Sequence, residues 1–217
     1  MKAELPPVSE QESLVEQADH RLRTFVNGHF PKEQDDHKAF RNMVKTLLPL
    51  MRQTPASGTV KYHSAWAGGL LVHTVEVIEM GIQVADTVGP GVIKHEKMDD
   101  FMRSVVKCCY LHDIGKVGDG ETPYYLPQDN DWRRTNLGET YTINRDLDAM
   151  AFLPIPLRGL WLAQKFNVFL TQDEMQAVTA SDGPGSELGK AINTFFETPL
   201  TMVVHFADKW VSLVRKV

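Results

Sequence analysis

His112 and Asp113 stand side by side at the end of an apolar run, in Tyr110-Leu111-His112-Asp113-Ile114-Gly115-Lys116. An imidazole and a carboxylate on neighbouring residues offer a divalent cation two donors from one short segment, which is how a compact metal site is seeded. Two donors do not hold an ion. The dipeptide gains meaning only if the elements around it bring further donors to the same place.

A helix expected from about Trp66 to Val88 puts Leu70, His73, Val77, Met80 and Val84 on one face at steps of three and four, so His73 belongs to an inward stripe. A second apolar helix over Phe101–Leu111 aligns Phe101, Val105 and Cys108 with His112, which points inward too. Two inward histidines thus lie on separate helices. Ahead of them, Leu14, Val15, Ala18, Leu22, Phe25 and Val26 predict a helix from Ser9 to about Phe30, with Ser9 and Glu12 spaced as a capping box. Phe40 to Met51 predicts another, closing at Thr54-Pro55-Ala56-Ser57-Gly58, with Pro49 able to end or kink it.

Periodicity disappears between Val117 and Tyr141, where Gly, Pro, Asp and Asn mix with Tyr124, Tyr125, Trp132, Arg133 and Arg134. A connection this long inside a domain is expected to border a working site. Helical spacing resumes at Leu147–Phe152, Ile155–Phe166 and Gln172–Ser181, the last with a capped start at Thr171 and Glu174. A short helix reaching Phe196 and a final one opened by Thr198-Pro199 complete the chain. No segment alternates like a strand. The expected fold class is all-α, a helical bundle in one globular unit, with residues 1–60 as an N-terminal helical extension on a domain over 61–217.

With 42% apolar and 24% charged residues over 217 positions, the composition fits a globular chain and excludes a disordered one. The net charge of -5 leaves no overall basic footprint for a long nucleic acid. Adjacent Cys108 and Cys109 form no disulfide framework, the N-terminus lacks the apolar core of a signal peptide, and no window reaches the about 20 apolar residues of a membrane span. A cytoplasmic protein without membrane attachment is expected.

His73 in Gly68-Gly69-Leu70-Leu71-Val72-His73-Thr74, the His112-Asp113 pair, and Asp208 in His205-Phe206-Ala207-Asp208-Lys209-Trp210 resemble, in that order, the ligand signature of the HD superfamily of metal-dependent phosphohydrolases. The resemblance covers roughly Tyr62 to Val211. His63 followed by GGLL and His-Thr is similar to the branch that reads HH…GGLL.HT…HD.GK, with Tyr62 in place of its first histidine. The loop with Tyr124-Tyr125 and Trp132-Arg133-Arg134, the Leu157-Arg158 segment and Ser181-Asp182-Gly183 look similar to single-domain bacterial and phage HD proteins.

The resemblance implies that His73, His112, Asp113 and Asp208 hold one divalent cation (Mn, Fe, Ni, Co, Zn or Mg), which would activate water against a phosphate ester. Asp113 would bind metal and orient the water. Lys116, one turn on, would neutralise a phosphate oxygen, and His63, Arg158, Arg133 and Asp182 are the further candidate substrate contacts. Each has a plainer reading: His63 as a surface residue before a helix, Asp182 as a turn former ahead of Gly183-Pro184, Lys116 as a solvated lysine, the loop tyrosines as packing. His205 is the one histidine after His112, so a second metal site is not expected. The implied activity is hydrolysis of a nucleotide or similar small phosphorylated substrate. The alternatives are a phosphodiesterase or 3′ exonuclease on single-stranded nucleic acid, and a nucleotide-binding module without turnover.

Overall fold

In the computed structural model, residues 5–34, 37–191 and 196–214 are described. Their architecture is all-α. The centre of the fold is α3 (Gly69–Val88), whose buried face runs through Leu70, His73, Val77 and Ile78 and packs against α1 (Val8–His29), α4 (Met98–Leu111) and α8 (Pro199–Leu213). With α2 (Lys38–Met51), these helices share one apolar core that includes Leu22, Phe40, Met43, Leu71, Val105 and Val204. The N-terminal helices are part of that core. Pro49 lies in the last turn of α2, which continues to Met51. Among the described residues no helix is long and apolar enough to cross a membrane.

Helix ends follow local chemistry unevenly. At α7 (Gln172–Thr179) the capping box forms as its residues dictate: the Glu174 amide donates to Thr171 Oγ1 at 3.2 Å and the Thr171 amide to Glu174 at 3.0 Å. The box expected at Ser9 and Glu12 does not form. The helix begins one residue earlier, with Pro7 as N-cap, and the Pro7 carbonyl takes the amides of Glu10 and Gln11. The expected helix at Leu147–Phe152 shrinks to a 3₁₀ turn and the one-turn α5 (Ala149–Phe152), followed by α6 (Ile155–Lys165). Part of the short helix expected to reach Phe196 lies outside the described residues, after a 3₁₀ turn at Gly189–Ala191.

The expectation of a chain without strands needs correction. Inside the long connection, β1 (Tyr125–Pro127) and β2 (Tyr141–Ile143) pair antiparallel, Tyr125 opposite Ile143 and Pro127 opposite Tyr141. This ribbon is tied to the segment before α3: the Thr140 and Tyr141 amides donate to the Gly58 carbonyl, and Thr140 Oγ1 donates to the Ala65 carbonyl at 3.0 Å. The connection is thus an ordered flap held against the residues around His63.

The glycine pair ahead of His73 is a requirement of that junction. Gly68 adopts φ 90°, and a Cβ on Gly69 would come within 2.0 Å of the Ser64 carbonyl oxygen. The chain turns back on itself there, and α3 can start only with its first turn pressed on the Ser64 backbone.

Candidate metal centre

Three helices deliver four side chains to one buried point. His73 comes from the first turns of α3, His112 from the C-cap of α4, Asp113 from the residue after it, and Asp208 from the middle of α8. The Nε2 atoms of the two histidines face each other at 3.2 Å. Asp208 Oδ1 lies 3.2 Å from His73 Nε2 and 3.6 Å from His112 Nε2, while Asp113 Oδ2 lies 3.5 Å from both.

These separations suit an ion. Bonds of about 2.1 Å to one cation place neighbouring donors roughly 3.0 Å apart in an octahedron and roughly 3.4 Å apart in a tetrahedron. The tautomer of His112 suits one as well: its Nδ1–H donates to the Cys109 carbonyl at 2.7 Å, which leaves the Nε2 lone pair facing the cluster. His73 Nδ1 is buried with no hydrogen-bond partner, so its ring is not anchored in that way.

Charge leads to the same conclusion. Asp113 is buried and Asp208 nearly so; burial alone would raise both carboxyl pKa values. Lys116 and the histidines outweigh it at Asp113, and the His73 contact with the histidine and lysine charges outweighs it at Asp208, so both stay below the usual carboxylate range. Lys116 Nζ donates to Asp113 Oδ2 at 2.5 Å, and that carboxylate raises the lysine's pKa against its own burial. Two carboxylates here share one ammonium, and buried carboxylates are costly without a matching cation. His73, His112, Asp113 and Asp208 fit a divalent cation in donor type, spacing and charge.

Around them the expected substrate contacts part company. His63 stacks on His73 with ring centroids 4.2 Å apart, and its Nε2 is buried without a partner. Asp182 lies at the rim, its pKa raised by partial burial and by the facing carboxylates of Asp113 and Asp208. Arg158 is engaged by backbone outside the donor cluster, with its Nη2 left without a hydrogen-bond partner. It is fully buried, donating through Nε to the Gly115 carbonyl at 2.9 Å and through Nη1 to the Met150 and Leu153 carbonyls at 3.0 and 2.5 Å, with its guanidinium 3.8 Å from the centre of the Tyr124 ring. Arg133 is half-exposed and bound to Glu139 at 2.8 Å, outside the donor cluster. Its charge is paired with Glu139 of the same connection.

Two residues near the centre were not among the candidate contacts read from the sequence. Tyr125 on β1 faces Lys116 and Asp113, whose charges act on its phenol, although burial is what chiefly raises its pKa. His205, one turn before Asp208, donates from Nδ1 to the Ser181 carbonyl at 3.0 Å, and its ring occupies the space that a Cβ on Gly183 would need, so it positions the turn that carries Asp182. A histidine three residues before an inward aspartate was the available signal.

The buried histidines set an acid limit for the metal-free protein. Burial, with the neighbouring His73 and Lys116, lowers the His63 pKa from 6.5 to about 3, and burial lowers that of His73 also. The unfolded chain takes up these protons first, so this stability is present above pH 6.5 and is lost as pH falls through the folded values; the Asp113 and Asp208 contributions are lost only below about pH 4. Urea unfolding at pH 7 and pH 4.5 is expected to differ by on the order of 2 kcal/mol from His63 alone. A His63→Ala variant that keeps the full pH dependence would remove this explanation.

Comparisons of the chain with protein-family models, with curated proteins and with solved structures found no match.

Proposed function

We propose that the protein is a metal-dependent phosphohydrolase of the HD type that cleaves a phosphate ester of a nucleotide or similar small phosphorylated substrate. The observation that carries this reading is the convergence of His73, His112, Asp113 and Asp208 within 3.2–3.6 Å along the contacts that join them, with the Lys116 ammonium on Asp113. A divalent cation bound there would polarise a phosphoryl oxygen or acidify a water in its open position.

The chain's own groups do the rest. The Asp113 carboxylate, held ionised by Lys116, accepts a hydrogen bond from the attacking water and keeps it in line. Lys116, buried and charged, offers its remaining N–H groups to a non-bridging oxygen as negative charge develops there. Tyr125, beside that lysine, is the hydroxyl placed to hold the same phosphate. The flap of β1 and β2 keeps bulk water away from these groups.

Phosphate release should be followed across a panel of nucleoside mono-, di- and triphosphates with manganese, magnesium, cobalt or nickel, with Asp113→Ala as control. Release that needs metal and falls at least about 1,000-fold in Asp113→Ala is the expected result. No release from any substrate with any of these metals would sink the hydrolase reading.

A further inference from the structure

We infer that His63 is a fifth protein donor to the cation of this centre, making it a site of three imidazoles and two carboxylates; the inference rests on the metal-centre reading above. Three observations carry it. Donor atoms of His63, His73 and Asp113 lie within 4.8 Å of one another, as do those of His73, His112 and Asp208, so two triads meet at His73. The Nε2 of His63 is buried and has no hydrogen-bond partner. A buried imidazole nitrogen left unpaired costs free energy unless something in the pocket uses its lone pair.

The backbone beside His63 is also under constraint. Ser64, a buried non-glycine residue, adopts φ 45°, and its carbonyl oxygen accepts the Ala56 amide at 3.0 Å while the start of α3 presses on it. Such a conformation persists where the surroundings over-determine it. Here they hold the preceding residue with its ring against His73.

One ion accounts for both triads better than two. Asp113, a member of the first triad, has Oδ2 3.5 Å from the Nε2 atoms of both histidines of the second, so one ion on these donors serves both triads, whereas two divalent ions this close would repel each other as well as the Lys116 ammonium. Donors on opposite sides of a single ion with bonds of about 2.1 Å lie about 4.2 Å apart, within reach of small side-chain adjustments from the present geometry. Five protein donors leave one octahedral position for water or a phosphate oxygen. Three imidazoles select iron, cobalt, nickel or zinc over magnesium.

The test uses cobalt(II) alone as probe, with the full-length chain as wild type, His63→Ala and His63→Phe. The phenylalanine keeps the ring stack on His73 and removes both nitrogens, and circular dichroism with thermal melting checks each fold. Expected are one equivalent of cobalt in the wild type, binding weaker by more than about 100-fold in both variants, and a changed visible absorption band reporting a lost nitrogen donor. Wild-type affinity and an identical spectrum in folded His63→Phe would overturn the assignment of His63 while leaving the four-donor centre intact. Two equivalents in the wild type, the second lost in both variants, would replace the fifth donor by a second ion. A wild type that binds no cobalt, manganese, nickel or zinc would overturn the centre itself.

Discussion

Asp208→Ala is expected to abolish stoichiometric metal binding without unfolding the protein. The carboxylate sits on α8 between Val204 and Val211, with Oδ1 at 3.2 and 3.6 Å from the two histidine Nε2 atoms and accepting the Ser212 hydroxyl at 3.0 Å. Its removal takes away one of two anionic donors, and metal affinity should fall by well over about 100-fold, beyond the 10- to 100-fold typical of merely supporting groups. The fold has less to lose. In the metal-free protein the substitution removes the contacts to His73 and the Ser212 hydroxyl but also a carboxylate held largely out of water, so the melting temperature should change by no more than a few degrees. Elemental analysis after gel filtration, with melting curves recorded with and without manganese, separates the two effects. One equivalent of metal retained in folded Asp208→Ala would show that the fourth donor is wrongly assigned.

The sequence exposed that site unevenly, and the reason differs for each residue. His73 and His112 were legible because each is polar at an apolar position of a long, regular helix, and the helical period alone turned both inward. Asp208 carried the same signal, since Val204, Ala207 and Val211 around it are buried, but flanked by Phe206, Lys209 and Trp210 on the exposed side of the helix a single aspartate reads equally well as solvent-facing. The ribbon left no trace because strands of three residues are too short for alternation to register, and their pairing depends on Gly58 and Ala65, far away in sequence. The capping box at Thr171 was legible since both partners lie within four residues. That at Ser9 failed because the helix starts at Val8 with Pro7 as N-cap, which puts Ser9 inside the first turn where it no longer caps.

Arg158 was the candidate hardest to place from the sequence, because charged residues are rarely buried without a partner ion and an arginine near a proposed phosphate site invites a functional role. Its partners are carbonyls at the ends of other segments, invisible to any local pattern. Those contacts predict that Arg158→Ala is the most destabilising of the substitutions considered. The change leaves the Gly115, Met150 and Leu153 carbonyls without their donor and opens a cavity under Tyr124. Unsatisfied buried acceptors and a cavity of this size together cost about 3–5 kcal/mol, a fall of roughly 10 °C in melting temperature for a chain of this length. Arg158→Lys should recover little, since one ammonium cannot span three carbonyls as the planar fork does. The loss reaches the centre through the backbone. Gly115 lies two residues after Asp113 and one before Lys116, and a Cβ there would come within 2.2 Å of the Ile155 carbonyl oxygen, so α6 and this turn touch backbone to backbone with Arg158 as their clasp. Metal affinity in Arg158→Ala should therefore weaken only as far as the turn loosens, while the urea midpoint falls sharply. An unchanged urea midpoint together with weakened binding of a phosphate analogue would return Arg158 to the substrate.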